Sequence, residues 1–109
     1  MHTSEDQRQN ARKVLRTRAL LIMDGIPQFL VRTIDISTSG VGVACPQQLH
    51  AGQEGKIAFE MFFNGKNYQV ASRVKVMYCI YSSSDGFKVG LQFLNLDMGS
   101  ASAITKFMI

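Results

Sequence analysis

From residue 17 on, the chain is written as short apolar stretches separated by turn residues. Residues 17–23 read TRALLIM and run into Asp24-Gly25, a strong hairpin signal. The pattern predicts strand, turn, strand, with the second strand over 28–36 rich in β-branched residues. On that strand Asp35 and Ser37 share the outward face, while Leu30, Ile34 and Ile36 take the inward one. Arg32 then falls on the inward set, a conflict that a bulge or a barrel-rim position would resolve. Residues 37–40, Ser-Thr-Ser-Gly, read as a turn in which Gly40 supplies an unusual backbone conformation or a close approach. Residues 40–45 put Val41, Val43 and Cys45 inward and the small Gly42 and Ala44 outward. Small outward residues leave room for something to lie on that strand, or are packing accidents.

Pro46 ends this strand, and 47–55 is a polar connection. Ile57, Phe59, Met61 and Phe63 alternate up to Asn64-Gly65, the best hairpin dipeptide in the chain. In residues 68–81, Val70, Val74, Val76, Tyr78 and Ile80 hold one parity, and Gln69, Arg73 and Lys75 the other. That stretch is one strand bent round a barrel corner, or two strands. After a turn at 82–86, Phe87, Val89, Leu91 and Phe93 alternate with Lys88, Gly90 and Gln92. Six or seven short strands, nearly all apolar on one side, predict an antiparallel barrel or sandwich. A barrel removes the exposed edges a small sheet would leave. Residues 100–109 place Ala101, Ile104, Phe107 and Met108 at helical spacing, predicting a short C-terminal helix that caps one barrel mouth.

Residues 1–11 are polar and lack a face to bury, so a flexible tail or a frayed helix is expected there. Were helix to persist through 8–16, Arg8, Arg12 and Arg16 would line one face. Like charges at that spacing repel until an anion settles among them, so the segment is expected to be mobile when empty.

At 109 residues and 46% apolar composition, the chain makes one domain with a small closed core. It has neither an apolar N-terminal leader core nor a run near the ~20 apolar residues a membrane helix needs, and a soluble cytoplasmic protein is expected. The formal charge of +4 is localised. Residues 7–18 carry five bases and no acid, whereas 19–109 carry seven bases and six acids. A compact basic cluster suits a small anion better than a long polyanion, though a solvated basic tail is the plain alternative. Cys45 and Cys79 lack metal-site or redox spacing and read as buried free thiols. His2 and His50 have no ligand-like neighbours, and no catalytic triad, phosphate loop or metal cluster is visible. An enzyme is not expected, nor a cofactor.

Two segments do carry chemistry. Arg12 and Arg16 are guanidiniums four residues apart. Asp35, Ser37 and Gly40 follow within one short stretch. Arginine forks donate paired, planar hydrogen bonds to phosphates and to the acceptor edge of guanine. An Asp and a Ser at a chain turn can exchange hydrogen bonds with the polar groups of a purine. Together these suit a guanine nucleotide with more than one phosphate; for Asp35 and Ser37 a purely turn-forming role is the alternative.

The spacing resembles the RxxxR…(D/N)xSxxG signature of the PilZ family, bacterial receptors for cyclic di-GMP. VGLQFL, residues 89–94, is similar to the closing strand of such domains. The resemblance implies a six- to seven-stranded antiparallel, Greek-key-like β-barrel over 12–109, with a flexible N-terminal arm over 1–11. It implies that Arg12 and Arg16 meet guanine edges and phosphates, that Asp35 and Ser37 bond a guanine, and that Gly40 permits close approach. The position before RxxxR, where many members carry another arginine or large residue, is Ala11 here. Arg8 is a candidate to stand in by stacking on a base, so one ligand or a stacked pair both remain open. There is no tryptophan, so any aromatic contact must come from Tyr or Phe. The family implies a receptor or adaptor that acts on an unidentified effector protein in motility, biofilm or virulence control. The competing readings are a single-strand nucleic-acid binder on a small barrel and a ligand-independent protein-interaction module. The first requires aromatics exposed on one sheet face, whereas Phe59, Phe63, Phe87 and Phe93 fall on the apolar parity. The second is disfavoured by the intact Arg12, Arg16, Asp35 and Ser37.

Overall fold

A computed structural model describes residues 11–109. Its elements are β1 (Lys13–Val14), β2 (Arg18–Met23), β3 (Phe29–Ile36), β4 (Gly40–Cys45), β5 (Glu54–Phe63), β6 (Lys66–Ser82), β7 (Gly86–Phe93) and a helix, α1 (Met98–Met108). Every strand pairing is antiparallel. The order β3-β2-β5-β6-β7-β4, with β4 returning to β3, closes a six-stranded barrel, and β1 is the additional strand. Four of the five links within the ring join neighbours. The fifth, from β4 to β5, crosses a barrel end and drops the buried Leu49 into it.

The inward positions are those the alternation predicts over most of the ring. Leu21, Met23, Val41, Val43, Cys45, Ile57, Phe59, Met61, Val70, Val74, Val76, Val89 and Leu91 are buried in one cluster. Phe63, Phe87 and Phe93 pack against its margin. Residues 66–82 form one strand that serves two partners: its first part pairs with β5 and its last part with β7. Asn64 and Gly65 both take positive φ, 51° and 74°, which is the conformation a tight hairpin asks of Asn-Gly.

Three bulges alter the face that simple alternation assigns. Between Thr33 and Asp35 the register to β4 shifts by one, and Ile34 is the extra residue. Leu30 and Arg32 therefore point outward with Val31 and Thr33 inward; past the bulge, Ile36 is inward again. This corrects the inward assignment of Leu30 and removes the conflict over Arg32. Between Val76 and Tyr78 the register to β7 shifts likewise, around Met77. Tyr78 and Ile80 then turn outward instead of following Val76, and Cys79 turns toward the interior. On the other side of β3, Val14 to Arg18 advances four residues while Asp35 to Arg32 retreats three. β1 and β2 are thus one strand broken by a bulge whose extra residue is Arg16. The buried Thr33 hydroxyl holds this break: it donates to the Leu15 carbonyl and accepts from the Thr17 amide at 2.9 Å.

α1 begins two residues earlier than the apolar spacing suggests. Asp97 is its N-cap, accepting from the Ser100 amide at 2.6 Å. Its inward residues are Ser100, Ala103 and Ile104. The Ser100 hydroxyl accepts from the Ala71 amide of β6 at 3.1 Å, which seats the helix on that strand.

Candidate functional site

Part of the paired motif converges at the end of β3: Arg12 meets Asp35 and the buried Ser37, while Arg16 stands apart. β1 lies beside β3, with Val14 opposite Asp35 and Lys13 opposite Ile36. Residues 12–17 are therefore extended, not the helix entertained for 8–16; Arg8 lies outside the described residues. Extended geometry still puts Arg12 and Arg16 on one side of the chain, but about 13 Å apart at ~3.3 Å per residue.

Arg12 is already engaged. Its Nη2 donates to Asp35 Oδ1 at 2.9 Å and its Nη1 to the Ser37 hydroxyl at 3.4 Å. The pair is partly open to solvent, so its net worth is at most about 1 kcal/mol. The Ser37 side chain is buried and chiefly organises the turn, accepting from the Ser39 and Gly40 amides at 3.2 Å each. Gly40 is needed for close approach, not for unusual φ: a Cβ there would collide with the Leu91 carbonyl of β7. Arg16, the bulged residue, is exposed. Among the described residues it has no acidic partner within ion-pair distance.

The register then builds a floor that residue typing alone does not reveal. Asp35 is opposite Gly42, Gly42 is opposite Gly90, and Gly90 is opposite Tyr78. Two outward glycines side by side let the Asp35 carboxylate and the Tyr78 ring close over them, so both glycines are buried. A Cβ on Gly42 would sit 2.5 Å from Asp35 Oδ1, and a Cβ on Gly90 would enter the Tyr78 ring. Each glycine is thus what lets the polar or aromatic neighbour lean over the floor. The adjoining cleft, about 190 Å³, is lined by Arg12, Ser39, Gly40, Tyr78, Gly90 and Gln92 among others. Gly42 was visible in the sequence as a small outward residue; its alignment with Gly90 and Tyr78 was not, because cross-strand register is a tertiary property.

On its other face β1 is tied to the helix. Lys13 Nζ donates to the Phe107 carbonyl at 2.8 Å and stands 4.5 Å from the Phe107 ring centre. An ammonium at a helix C-terminus satisfies a carbonyl left open there and suits the helix dipole. Sequence reading passed over Lys13 because its partner lies at the far end of the chain.

Cys45 is buried and Cys79 half-buried, and both are free thiols. Burial pushes the Cys45 thiol above its ordinary pKa, so it stays protonated at neutral pH. Among the described residues no helix is long and apolar enough to cross a membrane.

An outer-face arginine and Asp-x-Ser turn on a six-stranded barrel define a domain class. The PilZ domain family model matches residues 6–109, and this chain belongs to that family of cyclic di-GMP-binding adaptor domains. Among solved structures it is similar to the Bacillus subtilis inhibitor of motility MotI/DgrA, with TM-score 0.77 at 14% identity over 89% of this chain. It spans 47% of that protein's length. It is also similar to the PilZ domain of CeSA from a cellulose-synthesizing bacterium, with TM-score 0.53 at 12% identity, covering 89% of this chain and 93% of that one. No curated protein matches the sequence.

Proposed function

We propose that this chain is a cyclic di-GMP receptor that regulates a partner protein, with Arg12, Arg16, Asp35, Ser37 and Gly40 as the ligand-binding residues and Arg8 as a further contact. The observation that carries the reading is the placement of Arg12 on Asp35 and Ser37 beside two glycines that the Tyr78 ring and the Asp35 carboxylate cover. In this reading a guanine stacks on the open face of the Tyr78 ring beside Arg12 and Asp35. Asp35, which accepts from Arg12 through Oδ1, uses its other oxygen for the guanine N1–H and exocyclic amine. Arg16, placed outward by its bulge and free of acids among the described residues, takes the phosphate or the guanine O6/N7 edge. Binding strains the β1 register, which the Lys13–Phe107 contact carries to α1, and the altered surface is what a partner reads.

The chain acts in this reading as a cytoplasmic, non-enzymatic module. The inhibitor of motility named above makes motility one output class to test, beside biofilm and virulence control. The single-strand nucleic-acid reading is weaker: Phe59 is buried and Phe63, Phe87 and Phe93 pack on the core, and the exposed Phe62, Tyr78 and Tyr81 do not line one row of a sheet face.

The test is calorimetric titration with cyclic di-GMP, with GTP and a short oligonucleotide as controls. Wild type should bind cyclic di-GMP selectively. Arg12→Ala and Arg16→Ala should each weaken it roughly ten- to hundredfold, as loss of a charge-assisted bond worth about 1.5–3 kcal/mol implies. Preference for the oligonucleotide would favour the nucleic-acid reading, and binding of neither the ligand-independent module.

A further inference from the structure

Beside the glycine floor, about 7 Å along the strands at two residues' rise, runs a second outward row. Arg18 is opposite Arg32, Arg32 opposite Ala44, Ala44 opposite Lys88, and Lys88 opposite Ile80. Two arginines directly opposed on antiparallel strands have Cβ atoms only about 5 Å apart, and like charges in that position destabilise a sheet. Among the described residues neither is within ion-pair distance of an acid, and Lys88 is not either. Arg18 and Arg32 line a cleft of about 360 Å³ whose apolar surface comes from Leu30, Val31, Ala44 and Pro46, with Asp85 and Ser84 in its wall. Leu30 is 61% exposed and Ile80 55%.

We propose that this row is the docking groove for an acidic, aliphatic-containing segment of a partner protein. A carboxylate bridges the Arg18 and Arg32 guanidiniums, a second reaches Lys88, and aliphatic side chains of the segment cover Leu30 and Ile80. The chemistry favours a protein carboxylate over other anions. Only three cations lie in the row, too few to track a nucleic-acid backbone, and the exposed leucine, proline and isoleucine ask for apolar company. Asp85 in the wall opposes a dianionic phosphate more than a single carboxylate. The inference deepens the adaptor reading and rests on it for the existence of a partner, but not for the ligand.

The full chain is titrated with a fluorescein-labelled peptide alternating Asp-Glu pairs with leucine, against the same peptide with Asn-Gln pairs, inorganic phosphate and phosphatidylglycerol vesicles. The acidic peptide should bind with amide NMR shifts centred on Arg18, Arg32, Ala44 and Lys88. Arg18→Gln/Arg32→Gln should weaken it at least about tenfold, while cyclic di-GMP affinity stays within about twofold of wild type. Arg32→Gln alone, with a salt titration, serves if the double variant does not fold. Equal binding of the neutral peptide, undiminished binding by the variants, shifts centred instead on Arg12 and Asp35, or the same shifts from phosphate or vesicles would overturn the proposal. So would a tenfold loss of cyclic di-GMP affinity in the double variant, which would place the row in the nucleotide site. Failure of wild type to bind cyclic di-GMP would defeat the receptor reading and leave the peptide result to decide this one.

Discussion

Gly42 and Asp35 show how much a single methyl group would change. A Cβ at Gly42 would stand 2.5 Å from Asp35 Oδ1, so Gly42→Ala should push the carboxylate off Arg12 and roughen the floor. The expected result is a fall in cyclic di-GMP affinity by calorimetry with little change in the urea midpoint, because the Asp35 side chain can swing outward. Gly40→Ala meets a backbone carbonyl of β7 that cannot swing. That variant should lose about 1–3 kcal/mol of stability by urea denaturation, as overpacking does. Arg32→Gln should move the other way. Relief of the repulsion from Arg18 predicts a gain of about 0.2–1 kcal/mol. The paired motif residues were legible in the sequence because RxxxR and DxSxxG are local patterns. Gly90, Tyr78 and Lys13 were not, because each acquires its meaning from a strand or helix distant in sequence.

At the level of elements, alternation revealed the strands and their turns and pointed to a bulge on β3, but not to the other two bulges. A bulge leaves the run of apolar and polar residues looking regular on each side while exchanging inside for outside. The sequence signal at β3 was the misfit of Arg32 on the inward parity, and Ile34 is its cause. Nothing comparable marked Met77, since Tyr78 and Ile80 read as acceptable core residues. The extended β1 escaped notice for a related reason: local spacing admits helix, and pairing with β3 overrides it. Two contacts between elements give checkable outcomes. Loss of the helix cap in Asp97→Ala should cost about 1 kcal/mol in thermal or urea unfolding. Arg73 grips both Asp24 oxygens, at 3.0 and 2.8 Å, and that hydrogen bonding holds the carboxyl below its ordinary 3.8. A carboxyl depressed on folding stabilises above its unfolded pKa, and the benefit fades as pH falls through the folded value. Unfolding midpoints measured downward from pH 5 should therefore decline less steeply in Arg73→Met than in wild type.

For the whole molecule, strand number and one-sided apolarity left barrel and sandwich open, and the family resemblance pointed to the closed, Greek-key-like ring that the structure shows. The β4-to-β5 crossing, sealed by Leu49, makes the order Greek-key-like and concentrates long-range pairing in one small domain. The outer faces of β3, β4 and β7 consequently carry two parallel rows, one of glycines covered by Asp35 and Tyr78, the other cationic. The contact between Lys13 and Phe107 also means that β1 and α1, the first and last elements among the described residues, touch. A circularly permuted chain, spliced through a brief linker at that junction and opened at Asn64-Gly65, could retain the strand pairings. If the receptor reading holds, such a permutant, with β1 tethered at both ends, should still bind cyclic di-GMP by calorimetry while ligand-dependent amide NMR shifts in the helix vanish.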